Sequence, residues 1–447
     1  MSTYNRVVAA DSSASLAPTV RARLATEMAD PTSEVGTALA STFAPRPSWA
    51  TSNGAYDVTL DAYNLHPGNL SHWRAARARA GSGVGTGHVT AFLDSVMYGA
   101  AASGVTQPKP THAIYGRLKL MLDAEFGDAG SGIVIPWDTW FATPADDPRL
   151  VVTGTASTVA LGAHQLGAIR WLNGAGVNYV EFTDTCTEFV VYTLASGSRP
   201  RVTIDGGAEY TIAGNPDLDP SLTDYDPEPG FWGEGASSGQ IVTHIPAGTL
   251  GSHTLRILAP TNGTSYVTLA GVEGRTGDPG IRVSGMARSG IASVDLVTDD
   301  ITNGLLGMAV SLDMAQADLA VMLLAMNDFQ GHVSVATFKD RITTAVQRQK
   351  STSGYGAGGD VLLVTAAQPD YAYPIPADGT YVPAMSEYYT ALYEVADSED
   401  VPLLDIASRW VDFGTSDALG FFGDSLHPGD AGSEDIARAI HNALMAV

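Results

Sequence analysis

The chain has 447 residues, 45% of them hydrophobic and 16% charged, which supplies sizeable folded cores and argues against global disorder. Acidic residues outnumber basic ones 48 to 24, and the resulting net charge of −24 makes nucleic acid and anionic membrane surfaces poor partners. The one cysteine, Cys186, excludes an internal disulfide and a cysteine-based zinc site, and the sequence predicts neither a membrane span nor a signal peptide.

Residues 1–85 have the composition of an N-terminal extension. A short helical pattern, LAPTVRARLATEMAD, is followed by sequence rich in Ser, Thr, Pro and Gly. Such a stretch buries little apolar surface alone, so we expect it to pack on a partner or on another copy of the chain. A floppy leader is the alternative.

Residues 86–135 have the pattern of a strand, a turn and a helix. HVTAFLDS predicts a buried strand, and THAIYGRLKLMLDAEFG predicts a helix. Its apolar residues share one face: Ile114, Leu118, Met121, Leu122 and Phe126. This is the opening unit of an α/β sheet.

Residues 136–278 lose the helical period. Short β-branched and aromatic segments, such as TEFVVYTL and RPRVTIDG, alternate with turn-rich stretches, which predicts an inserted all-β sandwich. The tryptophans in this region suggest carbohydrate binding by ring stacking, although core packing is the alternative for each of them: Trp137, Trp140, Trp171 and Trp232.

The α/β rhythm returns over residues 279–447. Strand-like IRVSGMA, ADLAVMLLAM, VLLVTAA and VPLLDIA alternate with helical segments, and a last helix is expected to begin near Ser433. Together with 86–135, this segment has the size of one α/β domain. The sequence therefore predicts one α/β domain interrupted by the β insert.

Ser95 and the distant pair Asp424 and His427 could form a nucleophilic site. In FGDSLHP, Asp424 precedes His427 by three residues, a spacing that lets the carboxylate hold one imidazole nitrogen while the other acts as base. Ser95 ends the first strand, so its hydroxyl is expected at the carboxyl edge of the sheet, where ligands of α/β proteins bind.

Two further residues could stabilise an oxyanion. Asn327 ends the strand in AMND and offers a side-chain amide, and Gly290 in ARSGIAS offers a backbone N–H with no side chain in the way. Plain structural alternatives remain for all five candidates, as turn residues or as a loop-to-helix cap. Asp328 is expected to brace a loop.

These elements resemble the SGNH (GDSL-type) hydrolase family, whose four motif blocks appear in order as FLDSVMYG, SGMARSGIA, AMND and DSLHP. The resemblance implies a three-layer α/β/α fold with a short parallel sheet. It also implies ester hydrolysis through an acyl-enzyme without metal or cofactor. It assigns Ser95 as nucleophile, His427 as base and Asp424 as the residue that orients His427.

In the same resemblance, the Ser95 and Gly290 N–H groups and the Asn327 side chain form the oxyanion hole. Leu93 and Ala325 depart from the pattern because they stand where the family usually has glycine. Ser425, in the literal tetrapeptide GDSL, has no buried strand before it and is interpreted as incidental.

The first functional hypothesis is an esterase acting on acylated carbohydrate or a cell-envelope ester. Residues of the leader also resemble minor tail proteins of phages that infect actinobacteria, which implies a virion location, tail-protein partners and an oligomer, such as a trimer. A catalytically inactive adhesin of the same fold is the second hypothesis. A cytoplasmic thioesterase or lipase-like enzyme is the third.

Overall fold

The computed structural model describes residues 56–102, 109–138, 143–144, 147–154, 156–158, 169–172, 178–194, 200–211, 232–235, 240–258, 266–287, 289–297, 315–351, 358–370 and 383–447. The structural statements below concern these residues. The leader resemblance and the helix expected in residues 16–30 lie outside them, as does Trp140.

The described residues contain eighteen strands. They are β1 Tyr56–Asp57, β2 Ala62–Tyr63, β3 Thr86–Leu93, β4 Trp137–Asp138, β5 Thr143–Pro144, β6 Leu150–Thr153, β7 Ala156–Thr158, β8 Ile169–Leu172, β9 Tyr179–Leu194, β10 Arg201–Ile204, β11 Glu209–Thr211, β12 Trp232–Gly235, β13 Gln240–Leu258, β14 Tyr266–Arg275, β15 Gly280–Ala287, β16 Leu319–Leu324, β17 Asp360–Thr365 and β18 Leu403–Leu404.

The same residues contain ten α-helices and a 3₁₀ helix over Ser293–Leu296. The α-helices are α1 Ser71–Gly81, α2 Ser95–Tyr98, α3 Lys109–His112, α4 Ile114–Phe126, α5 Met326–Gln330, α6 Val335–Lys350, α7 Met385–Ser398, α8 Ile406–Trp410, α9 Phe413–Ala418 and α10 Asp430–Met445. None of the helices described here is long and apolar enough to cross a membrane.

The first sheet has the strand order β1-β2-β18-β17-β16-β3-β15. Its last five strands are parallel, and β2 joins β18 antiparallel. Every residue of β16 and β17 is buried, as expected of parallel strands that are covered on both faces. Helices α1, α4 and α10 pack together, and α6 and α7 form a second pair. The predicted α/β fold with a short parallel sheet is confirmed.

Residues 56–81 differ from the sequence analysis, which assigns them to the extension. Strand β2 extends the parallel sheet, and α1 buries Trp73 completely, with its indole N–H donating to the Leu444 carbonyl over 2.9 Å. The remaining buried positions of α1 are the small residues Ala76 and Ala80. Two-residue strands and an alanine-lined helix have too weak an apolar pattern to be recognised as part of a core.

The second sheet lies between α4 and β15 in the chain and is antiparallel. It has the order β11-β10-β13-β9-β14-β8-β7, with β12 also on β13 and β6 also on β9. The long strands β9 and β13 pair along most of their length, with a register shift between Pro246 and Gly251. A separate hydrophobic cluster forms around them. The nine strands form one hydrogen-bonded network, and two packed sheets remain a prediction.

A buried ion cluster joins the two sheets. The fully buried Glu273 of β14 accepts from Arg282 of β15 over 2.6 Å and from the Tyr192 hydroxyl of β9 over 2.8 Å. Burial alone would raise the pKa of Glu273, but Arg282 and Arg275 outweigh it and lower that pKa to about 2. The insert is therefore anchored to the α/β sheet by charge as well as by apolar packing.

Candidate active site

Ser95 lies where β3 ends and α2 begins. The Asp94 side chain accepts a hydrogen bond from the Val96 N–H over 2.9 Å and so caps this short helix. Leu93 of β3 aligns with Ala287 of β15 and with Leu323 of β16. The loops that follow the three strands therefore leave the same carboxyl edge of the sheet, as the sequence analysis expects for Ser95.

His427 meets Ser95 at this edge across 332 positions of sequence. The distance between His427 Nε2 and Ser95 Oγ is 2.8 Å, and His427 Nδ1 lies 2.9 Å from Asp424 Oδ2. Ser95 is buried and the His427 side chain is only 17% exposed, whereas Asp424 is half exposed. The structure thus brings together the three residues that the sequence predicts as a triad.

The loop that carries Asp424 and His427 is closed by its own hydrogen bonds. Asp424 Oδ1 accepts from the Leu426 N–H over 2.7 Å and from the His427 N–H over 2.6 Å, and the Gly423 N–H donates to the His427 carbonyl over 2.9 Å. A Cβ on Gly423 would stand 2.6 Å from the Ala101 carbonyl oxygen, so only glycine fits there. Asp424 therefore shapes the loop and also contacts the imidazole.

The electrostatics of Asp424 favour its ionised form. Burial raises its pKa, but hydrogen bonds from the His427 backbone, the His427 ring and the Leu426 backbone outweigh burial and leave the pKa below its ordinary value. An ionised Asp424 selects the tautomer in which Nδ1 carries the proton and Nε2 accepts from Ser95. This arrangement can remove the Ser95 hydroxyl proton as that oxygen attacks an electrophile.

The two further candidate donors follow the strands on either side of β3: Gly290 lies on the loop after β15, and Asn327 lies in helix α5 after β16. Gly290 lies three residues after Ala287, the last residue of β15. Its φ of 81° is in the left-handed region that favours glycine. The Asn327 side-chain nitrogen donates to the Ile291 carbonyl over 2.7 Å. Gly290 and Asn327 are thus linked through Ile291, and both follow strands adjacent to β3.

Ala325 and Asp94 bear on the site in ways the motif comparison does not reveal. Ala325 has a φ of 118° with a side chain in place, so the family glycine at this position has a conformational reason. The side chain of Leu93, the other departure, lies outside the described part of the structure.

Asp94 is completely buried, and this burial raises its pKa to about 7, with the nearby Asp328 adding to the rise. Its position before the helix-starting Ser95 is the sequence signal that could have identified it as a cap.

The predicted start of the last helix is wrong. Helix α10 begins at Asp430, with Gly429 preceding it, and Ser433 lies buried inside its first turns. The helix consequently starts three residues after His427, and its first turn adjoins the site loop.

The side chains of Trp137, Trp171 and Trp232 are not described, so carbohydrate stacking remains a prediction. Among the described residues, no three His, Cys, Asp or Glu side chains are grouped to hold a metal ion.

Comparison with known proteins finds a family model that matches part of the chain and a solved structure with a similar fold. Residues 245–434 match the model of the GDSL-like Lipase/Acylhydrolase family, a segment that includes Gly290, Asn327, Asp424 and His427 but begins after Ser95. A solved peptidoglycan O-acetylesterase is similar to the chain at 14% identity and a TM-score of 0.59, covering 86% of this chain and 98% of that one. At this identity the likeness concerns the fold.

Two other solved structures are more distant. A family two carbohydrate esterase from Cellvibrio japonicus has 11% identity and a TM-score of 0.27, covering 70% of this chain and 97% of that one. An acetyl xylan esterase has 16% identity and a TM-score of 0.28, covering 36% of this chain and 81% of that one. Their TM-scores are too low to carry a structural argument. No curated protein sequence matches the chain.

Proposed function

Because the chain carries a domain of the SGNH (GDSL-type) family of carboxylic ester hydrolases, we propose that it is a serine esterase that removes O-acetyl or other O-acyl groups from a carbohydrate or cell-envelope substrate. One observation carries the proposal. The Ser95 hydroxyl, the His427 ring and the Asp424 carboxylate form a continuous chain of hydrogen bonds at 2.8 and 2.9 Å. This is the geometry that activates a serine nucleophile.

The proposed reaction has two halves. Ser95 Oγ attacks the ester carbonyl carbon while its proton passes to His427 Nε2, and the carbonyl oxygen becomes an oxyanion. The intermediate then collapses: the bond to the sugar oxygen breaks, and that oxygen takes the proton from His427. Water then attacks the acyl-serine carbonyl carbon while His427 takes its proton. The bond to Ser95 Oγ breaks, His427 returns the proton to that oxygen, and the carboxylic acid leaves.

The oxyanion would be held by the Ser95 N–H, the Gly290 N–H and the Asn327 side chain. The first N–H groups of a helix have no acceptor within the helix, and Ser95 is the first residue of α2. Removing one donor of this kind typically lowers kcat by about 10²–10³-fold. The acetyl and glycan part of the proposal is supported by the fold similarity to a peptidoglycan O-acetylesterase over 86% of the chain.

The experiment compares the full chain with two serine variants. Wild type should release acetate from a chromogenic acetyl ester and from O-acetylated peptidoglycan, and Ser95→Ala should lower both rates by at least about 10³-fold. Ser425→Ala is the matched control, because Ser425 is an exposed serine in the literal GDSL tetrapeptide. An acyl-serine-directed phosphonate should label Ser95 alone. Equal rates for wild type and Ser95→Ala would remove the nucleophile assignment.

The departure at Leu93 favours a second candidate, an adhesin that retains the fold without the activity. If wild type and Ser95→Ala were both inactive while the protein still bound host envelope glycan, the adhesin would be the better account. A thioesterase or lipase-like enzyme would instead prefer long acyl chains to acetyl esters, and a chain-length series separates the two.

A virion location is a further part of the proposal and is supported by the leader resemblance alone. It predicts that the chain is a component of purified phage particles, and that the full chain forms an oligomer in solution. Mass spectrometry of such particles and light scattering of the purified protein test the two statements. A monomeric protein absent from particles would contradict both.

A further inference from the structure

The loop that follows β15 is hydrogen-bonded at two points to helix α5, which follows β16. At the first, the Asn327 side-chain nitrogen donates to the Ile291 carbonyl over 2.7 Å. At the second, Ser293 donates twice to the Asp328 carboxylate, from its backbone nitrogen over 2.9 Å and from its hydroxyl over 2.5 Å. The loop residues that make these hydrogen bonds, Ile291 and Ser293, lie one and three residues after Gly290.

The first contact restricts how the Asn327 amide can act. A side-chain amide has two N–H donors, and one of them is directed at the Ile291 carbonyl. Only the second is left for an oxyanion, and its direction is set by the first because the amide is planar. The neighbouring Gly290 N–H is carried by the same loop. The two donors therefore form one unit whose internal geometry depends on where the loop is held.

The second contact holds the loop and lies in the interior. Ser293 and Asp328 are both completely buried. Arg341 of α6 approaches both of them, at 3.4 Å from the Ser293 hydroxyl and 4.0 Å from Asp328 Oδ1. A charge-assisted hydrogen bond in such a setting is short and strongly directional. Among the described residues, no hydrogen bond or ion pair joins the Asp328 side chain to the triad. Its carboxylate instead holds the loop after β15 through Ser293.

We propose that Ser293 is a positioning residue: its paired hydrogen bonds to the buried Asp328 carboxylate set the position of the Gly290 N–H relative to the Asn327 amide. The proposal rests on the proposed esterase function and deepens it. An oxyanion donor acts mainly in the transition state, so a small displacement lowers kcat and leaves ground-state binding unchanged. The loss should be smaller than that caused by removing a donor outright.

The test measures kcat and KM of the full chain on a chromogenic acetyl ester, together with the thermal midpoint. Ser293→Ala should lower kcat by about 10–100-fold while KM stays within about twofold. Ser284→Ala is the matched control. Ser284 is a fully buried serine on β15 whose hydroxyl also makes two hydrogen bonds, to the His88 ring at 2.6 Å and from the Ile133 N–H at 2.8 Å. The control should lose thermal stability without losing kcat.

Asp328→Asn supplies a second variant should Ser293→Ala fold poorly. It preserves the shape of the side chain but presents an amide nitrogen to one of the two Ser293 donors. It should show the same kcat loss. The double variant should lose little more than either single variant, because both substitutions disrupt the same interaction between Ser293 and Asp328.

The outcomes separate this inference from the function on which it depends. Hydrolysis that requires Ser95 but is unchanged in Ser293→Ala and Asp328→Asn overturns the positioning role alone. The positioning role is also overturned if Ser293→Ala and Ser284→Ala lose kcat to the same extent, in proportion to their loss of thermal midpoint. Absence of hydrolysis by wild type overturns the esterase proposal and this role together.

Discussion

Ala325 makes a quantitative prediction possible, because its backbone conformation is one that residues with a Cβ rarely adopt. Its φ is 118° and its ψ is −25°. Holding a non-glycine residue in a sparsely populated region costs about 1–3 kcal/mol. Ala325→Gly removes this cost from the free energy of folding, and it also restores the residue that the family usually has at this position.

The same substitution has two costs. It removes a methyl group from a site that is 1% exposed, worth about 0.8 kcal/mol, and it frees the unfolded backbone, worth about 0.5–1 kcal/mol. Ala320→Gly has both costs without the relief, because Ala320 is fully buried in strand β16, which ends just before Ala325, and its φ is not positive. The two variants should therefore differ in free energy of unfolding by about 1–3 kcal/mol, with Ala325→Gly the more stable.

The assay is denaturant unfolding of the wild type and both variants, with the free energies extrapolated linearly to water. Ala325→Gly should lie close to wild type, and Ala320→Gly should be clearly less stable. Equal losses in the two variants would show that the backbone at Ala325 stores no strain. The reasoning about the departure from the family glycine would then be refuted.

The remaining predictions concern the acidic residues and the base. Asp424→Asn should lower kcat by about 10⁴-fold with little change in thermal midpoint, because the amide can still accept the loop N–H groups but disturbs the His427 tautomer; a matching loss of stability would mark a structural cap instead. If His427 is the base that takes the Ser95 proton, His427→Ala should lower kcat about as far as Ser95→Ala does, and a variant that keeps the wild-type rate would contradict that role. Burial raises the pKa of Asp94 to about 7 from 3.8, so the folded state binds a proton more tightly than the unfolded state does, and stability should decline as pH rises between these values. Asp94→Asn should remove that decline, and unfolding curves at pH 5 and pH 8 for both proteins measure it.

The parts of the fold predicted from sequence are those with strong local patterns. Strands β3 and β16 are recognisable as apolar runs, and helix α4 by its apolar face. The sequence analysis assigns residues 56–81 to the extension because their contribution to the core comes from Trp73 and small alanines, whose apolar periodicity is weak. Long-range pairing of β2 with β18 has no local signal at all.

The site shows the same division. The residue types and order of Ser95, Asp424 and His427 are enough to predict a shared edge of one sheet. The hydrogen bonds of Ser293 to Asp328 are not predictable, since Ser293 lies outside the four motif blocks and the contact spans 35 positions. The positive φ of Ala325 is likewise a property of the folded backbone, and only the usual family glycine indicates it.

The separation of Ser95 and His427 by 332 positions has a consequence for biosynthesis. The nucleophile is translated before the insert, and the base is translated after it. A nascent polypeptide can therefore fold its insert and most of its central sheet while remaining unable to hydrolyse an ester. The triad can therefore assemble only after the insert and the strands that follow it have been translated.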